Sequence, residues 1–508
     1  MKRFRSIISL LLALLLIPGA FSACAETDEE VLEGILANFE QLAAIPRPSH
    51  HEEKVGAFLV AWAQAQGFDV YQDETGNVIF DVPATEGYEE APTVALQAHM
   101  DMVAVSSDPN FDALNTPVRT IRSEDTLTAD GTSLGADDGI GVASILYLAT
   151  SQAAHGPLRA IITVNEEDGM TGMFGLDASV VEDVSFLLNL DAETLGEAII
   201  SSAAGTVLTA AQEPLRTAPT LDAAVSVTLD GLLGGHSGVM IDKGRINAVQ
   251  ALGDLLLSLR QAGVSYELAS FQGGTAANAI PTSATALLVV GAQDAARVET
   301  ITGEYAKALA SAYSASDPGL TATVSQAEMP QTVFDASQAE NIVDYAALVF
   351  DGLHTLSQSV QGLVESSSNL GVFRADADAV TSVQYVRSSQ AALQDSICLK
   401  QQRLAERLGY TISQQKMAEA WPVNTGSTLQ SIMQEVYREQ TGEELKLACV
   451  HAGLECGTFA RMNEALDIIS IGPELHDVHS VKETLYLDSI VPFYRLLEGT
   501  LARLSEAR

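Results

Sequence analysis

Short apolar, β-rich runs in this sequence repeatedly stop at histidines and acids, and that pattern restricts the fold more than any other feature. Residues 93–98 run into His99, residues 160–164 into Glu166-Glu167-Asp168, and residues 185–190 into Asp191-Ala192-Glu193. Residues 468–471 lead into Gly472-Pro473-Glu474-Leu475-His476-Asp477-Val478-His479. Helical spacing separates them: Val31, Leu32, Ile35, Leu36, Phe39 and Leu42 recur on one face, a second helix covers 52–66 before Gly67, and residues 139–150 form a small-residue helix. Residues 69–82 alternate around Thr75-Gly76-Asn77, a hairpin pattern. Strands alternating with helices indicate an α/β sheet covered on both faces, and such sheets bind ligands beyond the carboxyl ends of their strands.

The character changes after Ser201. Alternating stretches at 225–229 and 284–290 sit beside amphipathic helices at 246–261 and 295–312, which reads as a separate α+β unit. The first style returns with a helix at 429–441, runs at 445–449 and 468–471, and a closing helix at 489–506. The expected organisation is an α/β domain built from residues 26–205 and 415–508, interrupted by an inserted α+β domain at 206–414. At 508 residues the chain is long enough for both.

Charge narrows the function. Lys+Arg 27 against Asp+Glu 66 gives 27 − 66 = −39, and no local basic face interrupts it, which excludes a nucleic-acid backbone as partner. Lys2, Arg3 and Arg5 precede an apolar run at 7–16 and Ala23-Cys24-Ala25, the shape of a secretory signal at residues 1–25 cleaved after Ala25. Ser22-Ala23-Cys24 also matches the end of a lipobox, so lipidation at Cys24 is the rival reading. The run is shorter than the roughly 20 residues a spanning helix needs, so an exported chain without a transmembrane anchor is expected. Cys398, Cys449 and Cys456, widely spaced, form no disulfide framework and no cysteine metal site; they read as small buried hydrophobes, with a single Cys449–Cys456 bridge as the alternative.

The chemistry lies in five polar clusters. In His99-Met100-Asp101 the two polar side chains share a face, so Asp101 can accept the spare ring N–H of His99 and leave the other nitrogen for a metal. Gly135-Ala136-Asp137-Asp138-Gly139 is a loop entering a helix, where adjacent acids are commonly caps. Glu166 and Glu167, adjacent just past a strand, point to opposite sides and can serve different tasks. Asp191 and the 474–479 segment complete the set. Imidazole and carboxylate donors without thiolate suit Zn²⁺, Mn²⁺ or Co²⁺ in a hydrolytic site, and an unligated Glu beside them suits a general base.

The order and wording of these clusters resemble the aminoacyl-histidine dipeptidases (Xaa-His or non-specific dipeptidases), a branch of the dinuclear zinc exopeptidases related to carboxypeptidase G2. The resemblance also covers Ile45-Pro46-Arg47-Pro48-Ser49, Gly234-Gly235-His236-Ser237-Gly238, Asn278-Ala279-Ile280-Pro281 and His451-Ala452-Gly453-Leu454-Glu455-Cys456. It implies a mixed sheet flanked by helices with an inserted lid. It implies two divalent ions, zinc first, with manganese or cobalt as alternatives. His99 and Asp191 would hold one ion and Glu167 and His479 the other, with Asp137 bridging and Asp101 orienting His99. Glu166 would be general base to a metal-bridging hydroxide. His236 of the lid would polarise the scissile carbonyl, Asn278 and Arg387 would hold the substrate's carbonyl or carboxylate, and Glu455 its amino group. A cis peptide after Asp137 and a homodimer through the lid follow from the same likeness. Family members are mostly cytosolic, from which the export signal departs.

The expected function is therefore hydrolysis of dipeptides, Xaa-His or broader. The alternatives are an N-acyl amino acid deacylase or tripeptidase on the same architecture, or a non-catalytic exported peptide- or metal-binding protein. Short peptides are the expected partners.

Overall fold

The computed structural model describes residues 26–358 and 360–506. The signal-peptide reading of residues 1–25, with Cys24, lies outside the described residues. No described helix is long and apolar enough to cross a membrane.

Helix Asp28–Ala43 starts at a capping box in which Thr27 and Glu30 satisfy each other's backbone N–H groups. It buries Val31, Ile35, Leu36, Phe39 and Leu42. Helix Glu53–Gln66 ends where Gly67 turns left-handed at φ 82°. These helices, helix Ala136–Leu148 and the closing helix Leu487–Glu506 enclose the largest apolar core with one face of an eight-stranded sheet. Burying such faces is the main driving force for assembling these layers.

That sheet runs Asp69–Gln72, Val78–Val82, Leu158–Thr163, Val94–His99, Phe186–Asn189, Asp467–Ser470, Glu197–Ser202, Lys446–Val450. Val94–His99 pairs in parallel with Leu158–Thr163 on one side and Phe186–Asn189 on the other. Their carboxyl ends therefore emerge along one edge, where the polar clusters sit. All six residues of Val94–His99 are buried, as a central strand covered on both faces requires.

Strands before and after the insertion join this same sheet: Glu197–Ser202 pairs in parallel with Lys446–Val450. Between them lies a second, wholly antiparallel sheet, ordered Thr321–Gln326, Ala223–Asp230, Ala284–Val290, Tyr266–Gly273, Val364–Ala375, Val380–Ser388, Ala204–Gln212, Thr411–Ala418. It has its own apolar core, formed with helices Ala248–Gln261, Ala295–Ala312 and Ala336–Leu348. The chain leaves and re-enters the first sheet at one place, where Ser202 and Trp421 exchange backbone hydrogen bonds of 3.0 and 3.1 Å.

The helix expected at residues 139–150 begins earlier, at Ala136, but Asp137 and Asp138 inside it are non-helical and their peptide bond is cis. The regular turns start only at Gly139, so the acids sit at the helix entrance. Cys398, Cys449 and Cys456 are free thiols.

Candidate active site

Each strand end delivers one part of the cluster. His99 is the last residue of its strand; Glu166 and Glu167 follow Leu158–Thr163 after Asn165, which takes a left-handed φ of 54°; Asp191 lies two residues beyond Phe186–Asn189. Asp137 comes from the helix entrance, and His479 from the loop between strands Leu475–His476 and Thr484–Tyr486.

The five residues meet as two triads. His99 Nε2 is 3.1 Å from Asp137 Oδ1 and 3.5 Å from Asp191 Oδ1. His479 Nε2 is 3.0 Å from Asp137 Oδ2 and 2.8 Å from Glu167 Oε2. Asp137 thus divides its two oxygens between the triads. One donor atom each from His99, Asp137 and Glu167 falls within 4.8 Å of the others, a spacing able to hold a metal ion. Glu167 Oε1 is buried without a hydrogen-bond partner, as a donor atom awaiting a cation would be. Two nitrogens and three carboxylates, with one carboxylate shared, fit a pair of divalent ions.

Asp101 does more than face His99. Its Oδ1 lies 3.4 Å from His99 Nδ1, short of hydrogen-bond alignment, and accepts the Glu166 N–H at 3.0 Å. Its Oδ2 accepts from Ser49 Oγ at 2.8 Å and from the Glu167 N–H at 3.3 Å. One wholly buried carboxylate therefore fixes the loop that carries both glutamates.

Electrostatics follow from crowding acids in a dry site. Burial, then the neighbouring Asp191 carboxylate, pushes Glu166 well above the usual carboxylate range. Burial does the same to Asp191, and burial with Asp191 does so to Asp138. Against the upward push of burial, contacts with His479 and His99 hold Asp137 below its usual range. His479 is pushed up to about 11 by Asp137 and Glu167, and His99 rises despite burial because Asp191, Asp101 and Asp137 surround it. Without a cation, the surrounding carboxylates favour the protonated form of both rings.

A cation held by both rings would have to displace such protons, since only neutral imidazole can ligate. The sign follows: affinity weakens as pH falls, and binding releases protons at neutral pH. Calorimetry in two buffers of different ionisation enthalpy counts them; uptake without proton release would contradict ligation by both rings.

Of the residues assigned to substrate, His236 and Asn278 are neighbours on the insertion. His236 pairs with Ala279, and the Ser237 N–H donates to the Asn278 carbonyl at 2.8 Å. Burial, then the charge of Arg387, lowers the His236 pKa, so its ring is neutral at pH 7. Arg387 is 4% exposed, stacks on the Tyr385 ring at 3.9 Å and makes no ion pair among the described residues. Glu455 is wholly buried at the start of helix Cys456–Met462. Its Oε2 accepts from Gln97 Nε2 and Thr163 Oγ1, and its Oε1 is unpartnered. Burial raises this carboxyl to about 7. His451, of the same terminal motif, crosses to the insertion: its Nε2 lies 2.7 Å from Ser367 Oγ. His476 stays outside the cluster, exposed against Glu474.

Sequence reasoning missed Glu483. Its carboxylate accepts backbone N–H groups of Leu134, Gly135, Ala136 and Asp137, hundreds of positions away, and contacts to main chain leave no trace in residue patterns.

Residues 95–503 match the model of peptidase family M20/M25/M40. The cytosol non-specific dipeptidase of Escherichia coli (strain K12) is 31% identical over 466 residues, 91% of this chain and 96% of that protein. The crystal structure of aminoacylhistidine dipeptidase from Vibrio alginolyticus superposes with TM-score 0.86 at 32% identity, over 92% of this chain and 96% of that one. Aminopeptidase PepT from Bacillus cereus shares the fold at TM-score 0.54 and 15% identity, over 93% of this chain and 98% of its own.

The first of these likenesses corrects the expected export. The E. coli relative is named as a cytosol protein, and it aligns over nearly the whole chain, so the exported location read from residues 1–25, whether by cleavage after Ala25 or lipidation at Cys24, is overturned. A basic start followed by a short apolar run is a local composition pattern. It is independent of the fold, so the motifs behind the family likeness lend it no support.

With the match extending from the strand that carries His99 into the closing helix, the chain belongs to peptidase family M20/M25/M40.

Proposed function

We propose that this protein is a metal-dependent dipeptidase, with the insertion serving as a lid over the strand-end cluster. The observation that carries the reading is the division of Asp137 between two imidazole–carboxylate triads, with the half-buried Glu166 outside both. The names of the E. coli and Vibrio relatives agree with it.

The ligands on this reading are His99, Asp191 and Asp137 for one ion, and His479, Glu167 and Asp137 for the other. When bound, the pair of divalent ions, zinc first and manganese or cobalt as alternatives, supplies Lewis acidity at the scissile carbonyl and makes water more acidic. Glu166 takes the proton of the attacking water and returns it to the leaving nitrogen. Its raised pKa suits both transfers, because burial and the neighbouring Asp191 carboxylate make this carboxylate a stronger base than an exposed one. Asp101 holds the Glu166 backbone in place for both. The neutral His236 ring donates a hydrogen bond to the oxygen on which charge develops, a contribution of roughly 3–4 kcal/mol for one donor.

Arg387, buried with no ion pair among the described residues, recognises the substrate's terminal carboxylate through its fork of donors, with Asn278 beside His236 holding the carbonyl. Glu455 offers its free oxygen to the substrate's amino group.

A substrate panel tests the proposal. Dipeptides, Xaa-His among them, are expected to exceed N-acetyl amino acids and tripeptides in kcat/KM by about 100-fold or more, because buried polar groups left unpaired by the wrong ligand cost that much. Faster hydrolysis of N-acetyl amino acids would make the protein a deacylase instead.

A further inference from the structure

The segment Ile45-Pro46-Arg47-Pro48-Ser49 has no part in the mechanism above, yet Arg47 lies beneath the cluster with only 1% of its surface exposed. Its Nη1 donates to the carbonyls of Met100 at 2.9 Å and Asp101 at 3.0 Å, and its Nη2 donates to the carbonyl of Gly135. On the other side of that loop Glu483, 3% exposed, takes four consecutive N–H groups. Oε2 accepts from Leu134 at 2.7 Å and Gly135 at 2.9 Å, and Oε1 from Ala136 at 2.7 Å and Asp137 at 3.3 Å.

The socket is shaped for this. Gly135 is left-handed at φ 68°, and a Cβ there would stand 2.8 Å from Arg47 Nη2 and 2.7 Å from the Met102 sulfur. A Cβ on Gly139 would strike the guanidinium as well. Neither Arg47 nor Glu483 makes an ion pair among the described residues, so two buried opposite charges are satisfied mainly by main chain of the loops that carry ligands. A buried charge is costly to keep, and dipoles fixed around it are what make it tolerable. Glu483 is itself four residues past His479, so the two side chains tie together the loops of His99, Asp137 and His479.

We propose that Arg47 and Glu483 are positioning residues, a two-sided clamp on the peptide units of 134–137 that sets the separation of the metal-ligand loops and thereby the affinity of the site for its ions. The inference rests on the metal-site reading above. Outer-shell partners of this kind are commonly worth 10- to 100-fold in metal affinity.

The test uses the full chain loaded with Co²⁺, whose visible absorption reports coordination geometry. Glu483→Gln keeps the shape but turns an NH₂ toward donors, and is expected to weaken Co²⁺ retention against a chelator by about 10-fold or more. It should also alter the cobalt spectrum and lower kcat with KM within about twofold of the parent. Arg47→Lys, which has a single donor nitrogen in place of the fork, should shift all three the same way. Folded variants, with the circular dichroism of the parent, that keep its cobalt affinity and spectrum would overturn the clamp. If neither variant folds, hydrogen exchange on the metal-free parent decides. The amides of 134–137 should exchange far more slowly than those of the surface loop at 84–90, and equal rates would overturn the proposal. A parent that binds no Co²⁺ would sink the metal-site reading, while the exchange measurement would still judge the clamp.

Discussion

Glu166→Gln is expected to lower kcat by about 10²- to 10⁴-fold while leaving both ions bound, the range over which a positioned general base contributes. The two halves of that result come from different parts of the structure. Retention follows because the triads are complete without Glu166: His99 meets Asp137 and Asp191, and His479 meets Asp137 and Glu167. The loss follows because glutamine cannot take a proton, and two neighbouring carboxyls already hold other partners. Asp101 is committed to two backbone N–H groups and Ser49, and one oxygen of Glu455 to Gln97 and Thr163. Metal analysis beside steady-state kinetics separates the effects. A variant that stayed fast would remove Glu166 as the base, and one that lost metal would make it a ligand.

Stripping the ions with a chelator is expected to cut hydrolysis by at least about 10³-fold, since Lewis-acid stabilisation is worth several kcal/mol. Zn²⁺, Mn²⁺ or Co²⁺ should restore it. The fold should survive the treatment. Its apolar cores are built from residues such as Phe39, Leu96 and Phe493, and from Leu252, Phe271 and Phe373 in the insertion, independent of the metal donors. The carboxylates around His99 and His479 favour protonation of both rings once the ions are gone, which offsets the lost charge. Unchanged far-ultraviolet circular dichroism with activity abolished is the expected pair of observations. Undiminished turnover in protein verified free of metal would refute the mechanism.

Strand ends were readable in this sequence because burial on both faces forces continuous apolar runs, and what interrupts them stands out. Residues 93–98, 160–164 and 185–190 lie within a residue or two of observed strands for that reason. The insertion was harder. Val364–Ala375 opens with Val364-Glu365-Ser366-Ser367-Ser368-Asn369, a mostly polar stretch, yet these residues are buried. Ser366, Ser368 and Asn369 find partners in Thr355, His354, Phe350, Ala277 and Ala279, distant contacts that no local pattern encodes. The same limit hid Glu483. A carboxylate four residues past His479 looks like any surface acid until the main chain of 134–137 is folded against it.

The hydrogen-bonded pair Ser202 and Trp421 has a consequence beyond this molecule's chemistry. Chain entropy charges a host fold for holding two distant points together, but the charge grows only with the logarithm of the intervening length. Here the junction is sealed by the host's own backbone, so whatever hangs from it can lengthen, shorten or be exchanged with little effect on the sheet below. Seen this way, the stem is a graft union: an excised version closed by a tight turn should still fold, and a foreign unit with adjacent ends should take at the same point.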